Sequence, residues 1–196
     1  RFIRTAGTVW TSVISFYTAK ELEAKAFRKI LRTLKSNFDH VLIDAPAGIE
    51  RSLRGLLSNE INECVLVCTP DDVCIRNVER TASVLRKKGL TAQRVIVNRL
   101  NPDYIRRGEM YAAQTVALTL DMPLLGEIPE DAEIYRALLH HQSVMEGESE
   151  GRNAIARIAL RMTTDEDVPL PEYGQKRTLF QRLFQRRRKG DEKHVR

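Results

Sequence analysis

The chain is poor in several features that would each have placed it in a class. Cysteine is one: Cys64, Cys68 and Cys74 are the only three in 196 residues. No other ligands cluster beside them, so neither a disulfide framework nor a zinc site is expected. They read as reduced core thiols of a cytosolic protein. Long apolar runs are a second absence: no stretch approaches the ~18 residues of a membrane-spanning helix. No apolar core follows a basic start, so no secretory leader is expected. No internal repeat is visible, which argues against a solenoid or propeller. What is present is 42% hydrophobic content, enough for one good core.

Most of the chain also lacks excess charge, although the net value is +6. Nine Lys or Arg and two acids fall between Gln175 and Arg196, a local net of +7. The preceding residues are left at −1. The basic character therefore belongs to the tail, and any anion the protein seeks is sought there. The chain starts at Arg1 rather than Met and enters a pattern already under way, as a fragment would.

Strands and helices alternate along the sequence. Residues 21–35 predict a helix with Phe27, Ile30, Leu31 and Leu34 on one face. A strand is expected at 41–44, a short helix near 52–58, and a strand at 64–68. A helix over 73–87 turns Ile75, Val78, Ala82 and Leu85 inward, is N-capped by the Asp71–Asp72 pair, and is closed by Gly89. A strand at 94–97, a loop and helix over 101–121, and a strand at 124–128 follow. Helices near 131–140 and 152–162 complete the pattern. Residues 9–16 are ambiguous and read as a strand. Repeated β-α-β units with apolar strands give an α/β fold: a mostly parallel sheet with helices on both faces.

The densest signal is Val41-Leu42-Ile43-Asp44-Ala45-Pro46-Ala47-Gly48-Ile49. An apolar run ending in Asp, then Pro and Gly, reads as a buried strand delivering a carboxylate to the carboxyl edge of the sheet. Ligands bind at that edge in α/β proteins. Asp44 fits a Walker-B-type acid holding Mg through water, because Mg dehydrates reluctantly. Pro46-Ala47-Gly48 would then be a switch, with Gly48 letting backbone approach phosphate. The plainer alternative is an Asp that caps the next helix. Asn98 ends another apolar run; its amide offers the donor and acceptor that match an adenine edge, or it is a turn residue. Pro129, in Ile128-Pro129-Glu130-Asp131, offers a flat apolar surface for a base, or simply ends the strand. His140 and His141 point ~100° apart on a helix and read as ordinary surface histidines.

An acidic, proline-bearing linker is expected over 164–175, followed by an amphipathic segment at 176–190 and a polar tail at 191–196. On a helical wheel Leu179, Phe180, Leu183 and Phe184 share an arc of about 140°. Arg182 and Arg186 fall outside that arc, and Arg187 and Arg188 follow. That pattern fits an interfacial membrane anchor, weak in one copy and stronger in two. The alternatives are a helix docking on its own domain and a basic arm for nucleic acid, which is the less favoured partner.

Taken together, the ordered motifs resemble the MinD/ParA family of deviant-Walker ATPases, the MinD branch in particular. They are Phe38–Glu50, Thr69-Pro70, Val97-Asn98-Arg99, Arg106-Arg107-Gly108-Glu109-Met110 and Leu125–Asp131, with the Leu/Phe tail after them. The resemblance covers about residues 21–189. It implies a P-loop NTPase domain of the SIMIBI type over 1–163, incomplete at its N-terminus. It implies ATP and Mg as ligands, Asp44 at the Mg site, Gly48 in switch II, and Arg99 and Pro129 flanking a base read by Asn98. It further implies an ATP-dependent homodimer, peripheral on the cytoplasmic face of an anionic inner membrane. The partners it implies are a MinC-type division inhibitor and a MinE-type regulator, and the role is septum placement.

Two departures stand out. The family's Gly-rich phosphate loop with two lysines, and its switch-I acid, do not occur in these 196 residues. The chain as given is therefore expected to be inactive, with ATPase activity confined to a form carrying that loop. In Ile75-Arg76-Asn77-Val78-Glu79, Asn77 stands where the family typically has Asp, which alters a partner-facing charge. A flagellar-number regulator, a ParA-like partitioning ATPase and a non-catalytic anchoring remnant are the alternative functions.

Overall fold

The structure, a computed structural model, describes residues 2–4, 10–12, 24–45, 60–164, 167–171 and 173. Two units divide the chain, Arg1–Asn62 and Glu63–Arg196. In the first, β1 (Phe2–Arg4) pairs antiparallel with β2 (Trp10–Ser12), which falls inside the ambiguous 9–16 stretch. Helix α1 (Ala24–Lys35) buries Phe27 and Leu31, one turn apart on the expected face, and half-buries Ile30 and Leu34. Its last turn is basic. Arg32 Nε donates to Glu60 Oε1 at 2.6 Å, and Lys35 Nζ donates to the Glu60 carbonyl at 3.0 Å and to Asn62 Oδ1 at 3.1 Å. The Arg32 hydrogen bond holds the Glu60 carboxyl below its usual range.

The expected strand at 41–44 is not formed. Residues 41–45 have no regular structure, and Leu42 and Ile43 are 81% and 44% exposed. An apolar run supplies the propensity for a strand, but a strand also needs a neighbour to satisfy its backbone. The described ladder of this unit, β1–β2, does not include 41–45. The expected helix near 52–58 lies outside the described residues, as do Pro46, Ala47 and Gly48.

The second unit is a three-stranded parallel sheet in the order β3 (Cys64–Cys68), β4 (Gln93–Leu100), β5 (Leu124–Pro129). Helix α2 (Asp72–Lys87) joins β3 to β4; α3 (Pro102–Arg107) and α4 (Ala113–Leu120) join β4 to β5. Crossovers of one hand between sequential strands put their helices on one face. Accordingly Ile75, Val78, Ala82 and Leu85 of α2 are all buried. Ile75, Val78 and Ala82 share a core with Val116, Ala117 and Leu120 of α4 and with Val95, Val97 and Leu124 of the sheet. Beyond α5 (Ala132–Leu139) and a 3₁₀ turn at Val144–Glu146 comes α6 (Glu150–Thr163), which covers the other face. There Ile158 packs on Ile96 and Leu125. The α/β sandwich read from the sequence is thus present across this unit.

Helix α2 is C-capped at Lys88, after which Gly89 (φ +90) and Leu90 return their N–H groups to the carbonyls of Arg86 and Leu85. This is a Schellman closure, and Gly takes the left-handed position without a Cβ clash. At this same amino end of the sheet, Arg94 forks onto both carboxylate oxygens of Glu63 and reaches the Arg161 carbonyl at 3.3 Å. One side chain therefore ties together the approach to β3, β4 and α6.

Register between β4 and β5 slips twice. Val95 faces Leu124, but Ile96 faces Gly126 and Val97 faces Glu127; Leu100 then faces Pro129. Leu125 is the extra residue on β5, and the pair Asn98–Arg99 on β4 opposes Ile128 alone. Each is a bulge, rare between parallel strands.

The expected linker is docked where it is described. Val168, Leu170, Pro171 and Tyr173 are half-buried, and Leu170 and Tyr173 pack on the α2–α4 core. The amphipathic segment 176–190 lies outside the described residues. Among those described, no helix is long and apolar enough to cross a membrane.

Candidate functional site

The carboxyl ends of β3, β4 and β5 form one polar edge, each built by a different local device. At β3, the Thr69 hydroxyl donates to Asp71 Oδ2 at 2.5 Å, and Asp71 Oδ1 accepts the Cys74 N–H at 2.9 Å. Asp71 thus caps α2 as its sequence position predicts. The Thr69 hydroxyl, then the Cys74 N–H, hold its carboxyl below the usual range. Just behind it, Cys68 is fully buried, and burial, with Cys74 adjoining, pushes its thiol up to about 12.

At β4, the bulge carries Asn98 and Arg99 out of the ladder. Arg99 has φ +61, a left-handed conformation for a residue with a side chain. Asn98 Oδ1 accepts the Arg99 N–H at 2.9 Å and so supports that turn. Asn98 is half-exposed and Arg99 exposed. Strain of this kind concentrates at functional sites. Asn101 then does two things. Its Oδ1 caps α3 by accepting the N–H groups of Asp103 and Tyr104 at 3.0 and 3.3 Å. Its Nδ2 donates to Glu130 Oε2 at 3.2 Å, while the Glu130 N–H donates to the Leu100 carbonyl at 2.8 Å. The ends of β4 and β5 are stitched together at this point.

At β5, Pro129 is buried, so it is not the open apolar platform expected for a base. It closes the strand opposite Leu100. Asp131 caps α5 through the Glu133 N–H at 2.8 Å and holds the start of α6 through the Gly151 N–H at 2.7 Å. Burial raises its carboxyl, but bonds from Ser149, Gly151 and Glu133 outweigh that and lower it. Beside the edge, Arg106 pairs with Asp103, and Arg107 with Glu109 at 3.1 Å while lying 4.8 Å over the Tyr104 ring. These arginines are locally neutralised rather than a free cationic patch.

Among the residues expected to bind nucleotide, the sheet brings Asn98, Arg99 and Pro129 to one edge. Asp44 belongs to the first unit, exposed in the irregular 41–45 segment. Gly48 and the tail residues Leu179, Phe180, Arg182, Leu183, Phe184, Arg186, Arg187 and Arg188 lie outside the described residues. Asn101 and Glu130 were not singled out from the sequence. The Asn-Pro dipeptide at 101–102, an N-cap followed by Pro at N1, was the available signal for the first.

A base would fit this edge on the Asn98 side. One lone pair of Oδ1 is committed to Arg99, which leaves the second and the Nδ2 hydrogens for a donor–acceptor edge. The phosphates do not fit the described residues: no Gly-rich backbone cradle is among them.

No family model matches the chain. The chain is 30% identical over 186 residues to the septum site-determining protein MinD of Helicobacter pylori, covering 88% of this chain and 69% of that one. Solved structures are similar as well. The MinC:MinD cell division protein complex of Aquifex aeolicus has a TM-score of 0.72 at 25% identity, covering 79% of this chain and 64% of that one. MinD complexed with Mg-ADP from Pyrococcus horikoshii has a TM-score of 0.59 at 29% identity, covering 73% and 57%. The chain thus spans less than two thirds of either solved relative.

Proposed function

Because the chain belongs to the MinD family of septum site-determining proteins, we propose that it is part of an ATP- and Mg-dependent switch that positions the division septum. In this reading the ATP-bound form dimerises, lies on the cytoplasmic face of an anionic membrane through the 176–190 segment, and recruits a MinC-type inhibitor. A MinE-type regulator promotes its release. Relatives solved with MinC and with Mg-ADP support the partner and the ligand.

The observation that carries the reading is the bulged end of β4. It lifts an amide out of the ladder at the carboxyl edge, where α/β sheets bind their ligands. Asn98 would read the base and Arg99 would flank it. Asp44, just before the Pro46-Ala47-Gly48 sequence, would hold Mg through water. Bound Mg would neutralise phosphate charge; the chain's own part is to orient the base. Phosphoryl transfer depends on a phosphate cradle, and the 196 residues contain no Gly-rich loop with two lysines. Turnover is therefore assigned to the protein carrying that loop.

Nucleotide binding by the chain joined to a family phosphate loop tests this. Asn98→Ala should cost about 1–3 kcal/mol of ATP affinity and shrink the preference for ATP over GTP. Unchanged affinity and preference would make Asn98 only the support of the Arg99 turn.

A further inference from the structure

The segment after α6 has the composition of a free tether: Asp165, Glu166, Asp167, Pro169, Pro171 and Gly174. Its described part is held at successive points. Arg161 Nη1 donates to the Val168 carbonyl at 2.5 Å, and Arg161 Nη2 to the Leu124 carbonyl of β5 at 3.3 Å. One helical turn earlier on α6, Arg157 Nη2 donates to the Tyr173 hydroxyl at 3.0 Å. Both arginines start from the helix on one face of the sheet, yet Leu170 and Tyr173 pack on the core of the other face. The segment therefore passes the outer side of β5, the end strand of the sheet among the described residues.

The direction of travel follows from the same contacts. Helix α6 runs against β5: its start is bonded to Asp131, just past the end of β5, and Arg161 reaches Leu124 at the beginning. Moving from Val168 at Arg161 to Tyr173 at Arg157 therefore moves toward the carboxyl end of β5. The negative charges that act on Tyr173, Glu150 and Glu127, belong to that half of the unit. Both guanidinium groups have a buried Nε with no hydrogen-bond partner among the described residues. Drawing them in is costly, and the Val168, Leu124 and Tyr173 bonds offset that cost.

We propose that residues 167–171 and Tyr173 form a docked strap, clamped by Arg157 and Arg161, that covers the edge of β5 and sets the point from which the basic tail continues: beside the carboxyl ends of the strands. An uncovered end strand offers unpaired backbone to other chains, and a segment laid along it removes that hazard. The strap also sets the length of the tether. The stretch held to the domain thus extends to Tyr173 rather than stopping at Thr164. This holds whatever the tail binds, so it stands apart from the nucleotide and membrane reading.

Hydrogen exchange on the full chain tests the docking. Peptides covering 167–173 should exchange at least tenfold more slowly than unstructured chain. Arg157→Ala with Arg161→Ala should abolish that protection while α2 and β4 peptides keep theirs. If the double variant unfolds globally, Tyr173→Ala replaces it, with loss of protection expected at 170–173. Exchange at unstructured rates in the wild type, or protection indifferent to these variants, would overturn the strap. Zero-length carbodiimide cross-linking tests the exit point. Lys176 lies within about 10 Å of chain from Tyr173. It should join Glu150 or Glu130, at the carboxyl end, in preference to Asp121 at the other. Cross-links to Asp121 as frequent as those to Glu150 would refute the exit point.

Discussion

Gly126 is the position where a single methyl group should do most damage. It sits in β5 at the first register slip, facing Ile96 across the ladder and α6 across the layer. A Cβ built there would stand 2.2 Å from Ile158 Cγ1 and 2.8 Å from Cδ1, but 3.6 Å from Ile158 Cβ. The first two are impossible distances, and Cγ1 is too near the helix backbone to swing away freely. Overpacking of this kind costs about 1–3 kcal/mol, and the depth of the clash points to the upper half of that range. Ile158→Ala alone should cost about 2–5 kcal/mol through the cavity it leaves. In the double variant both clashing atoms are gone, and the Cβ retained at position 158 stands 3.6 Å from the methyl added at position 126, which is ordinary contact. That methyl also partly fills the cavity. The two losses should therefore fall short of adding by at least about 1 kcal/mol. Urea unfolding of the four proteins, compared at constant slope, measures this cycle. A Gly126→Ala protein within about 0.5 kcal/mol of wild type, the range of an ordinary surface substitution, would refute the packing of α6 on β5 described above. Strictly additive losses would refute it equally.

Other expectations follow from single groups. Asp71→Ala should cost about 0.5–2 kcal/mol as a lost helix cap. Because the folded carboxyl is held low, that difference is full above the unfolded value near ~4 and fades as pH falls through the folded pKa. Urea midpoints for both proteins at pH 7 and pH 3 would show it. Cys68, buried with its thiol pushed up, should resist a thiol reagent in the native chain, while half-buried Cys64 and Cys74 react first. Mass spectrometry of the alkylated peptides reads the order. For the tail, Phe184→Glu should abolish sedimentation with anionic liposomes, whereas high salt should only weaken it. Retained liposome binding, or steep salt-dependent DNA binding, would favour a nucleic-acid arm instead.

Much of the sheet was legible because its signals are local. The run Cys64–Cys68 forms β3 with the expected bounds, and the four α2 residues expected inside are the four that are buried. What failed to form, 41–44, depended on a neighbour that no local pattern supplies. The packing of Leu170 and Tyr173 is masked in the sequence because acids and prolines dominate the composition around them. Val168 and Leu170, alternating with Pro169 and Pro171, were the available sign that one side faces protein. The Asn98–Arg99 bulge could not be read at all, since it exists only relative to the register of β5. Asn98 was singled out from the apolar run before it, yet the left-handed turn it supports was not.

The two slips between β4 and β5 have equal size and opposite sense. Partner numbers differ by 29 at Val95, by 30 at Ile96 and Val97, and by 29 again at Leu100. The strands therefore leave the sheet in the phase in which they met, with only the middle displaced. Removing Leu125 alone would close the first slip and leave the second uncompensated, throwing Pro129 and the Asn101–Glu130 stitch one residue out of step. Removing one residue at Asn98–Arg99 alone would do the same in reverse. Deleting one residue at each place would return every partner to a common offset. Insertions and deletions in this pair of strands should thus behave like a frameshift and its suppressor: ruinous singly, tolerable together.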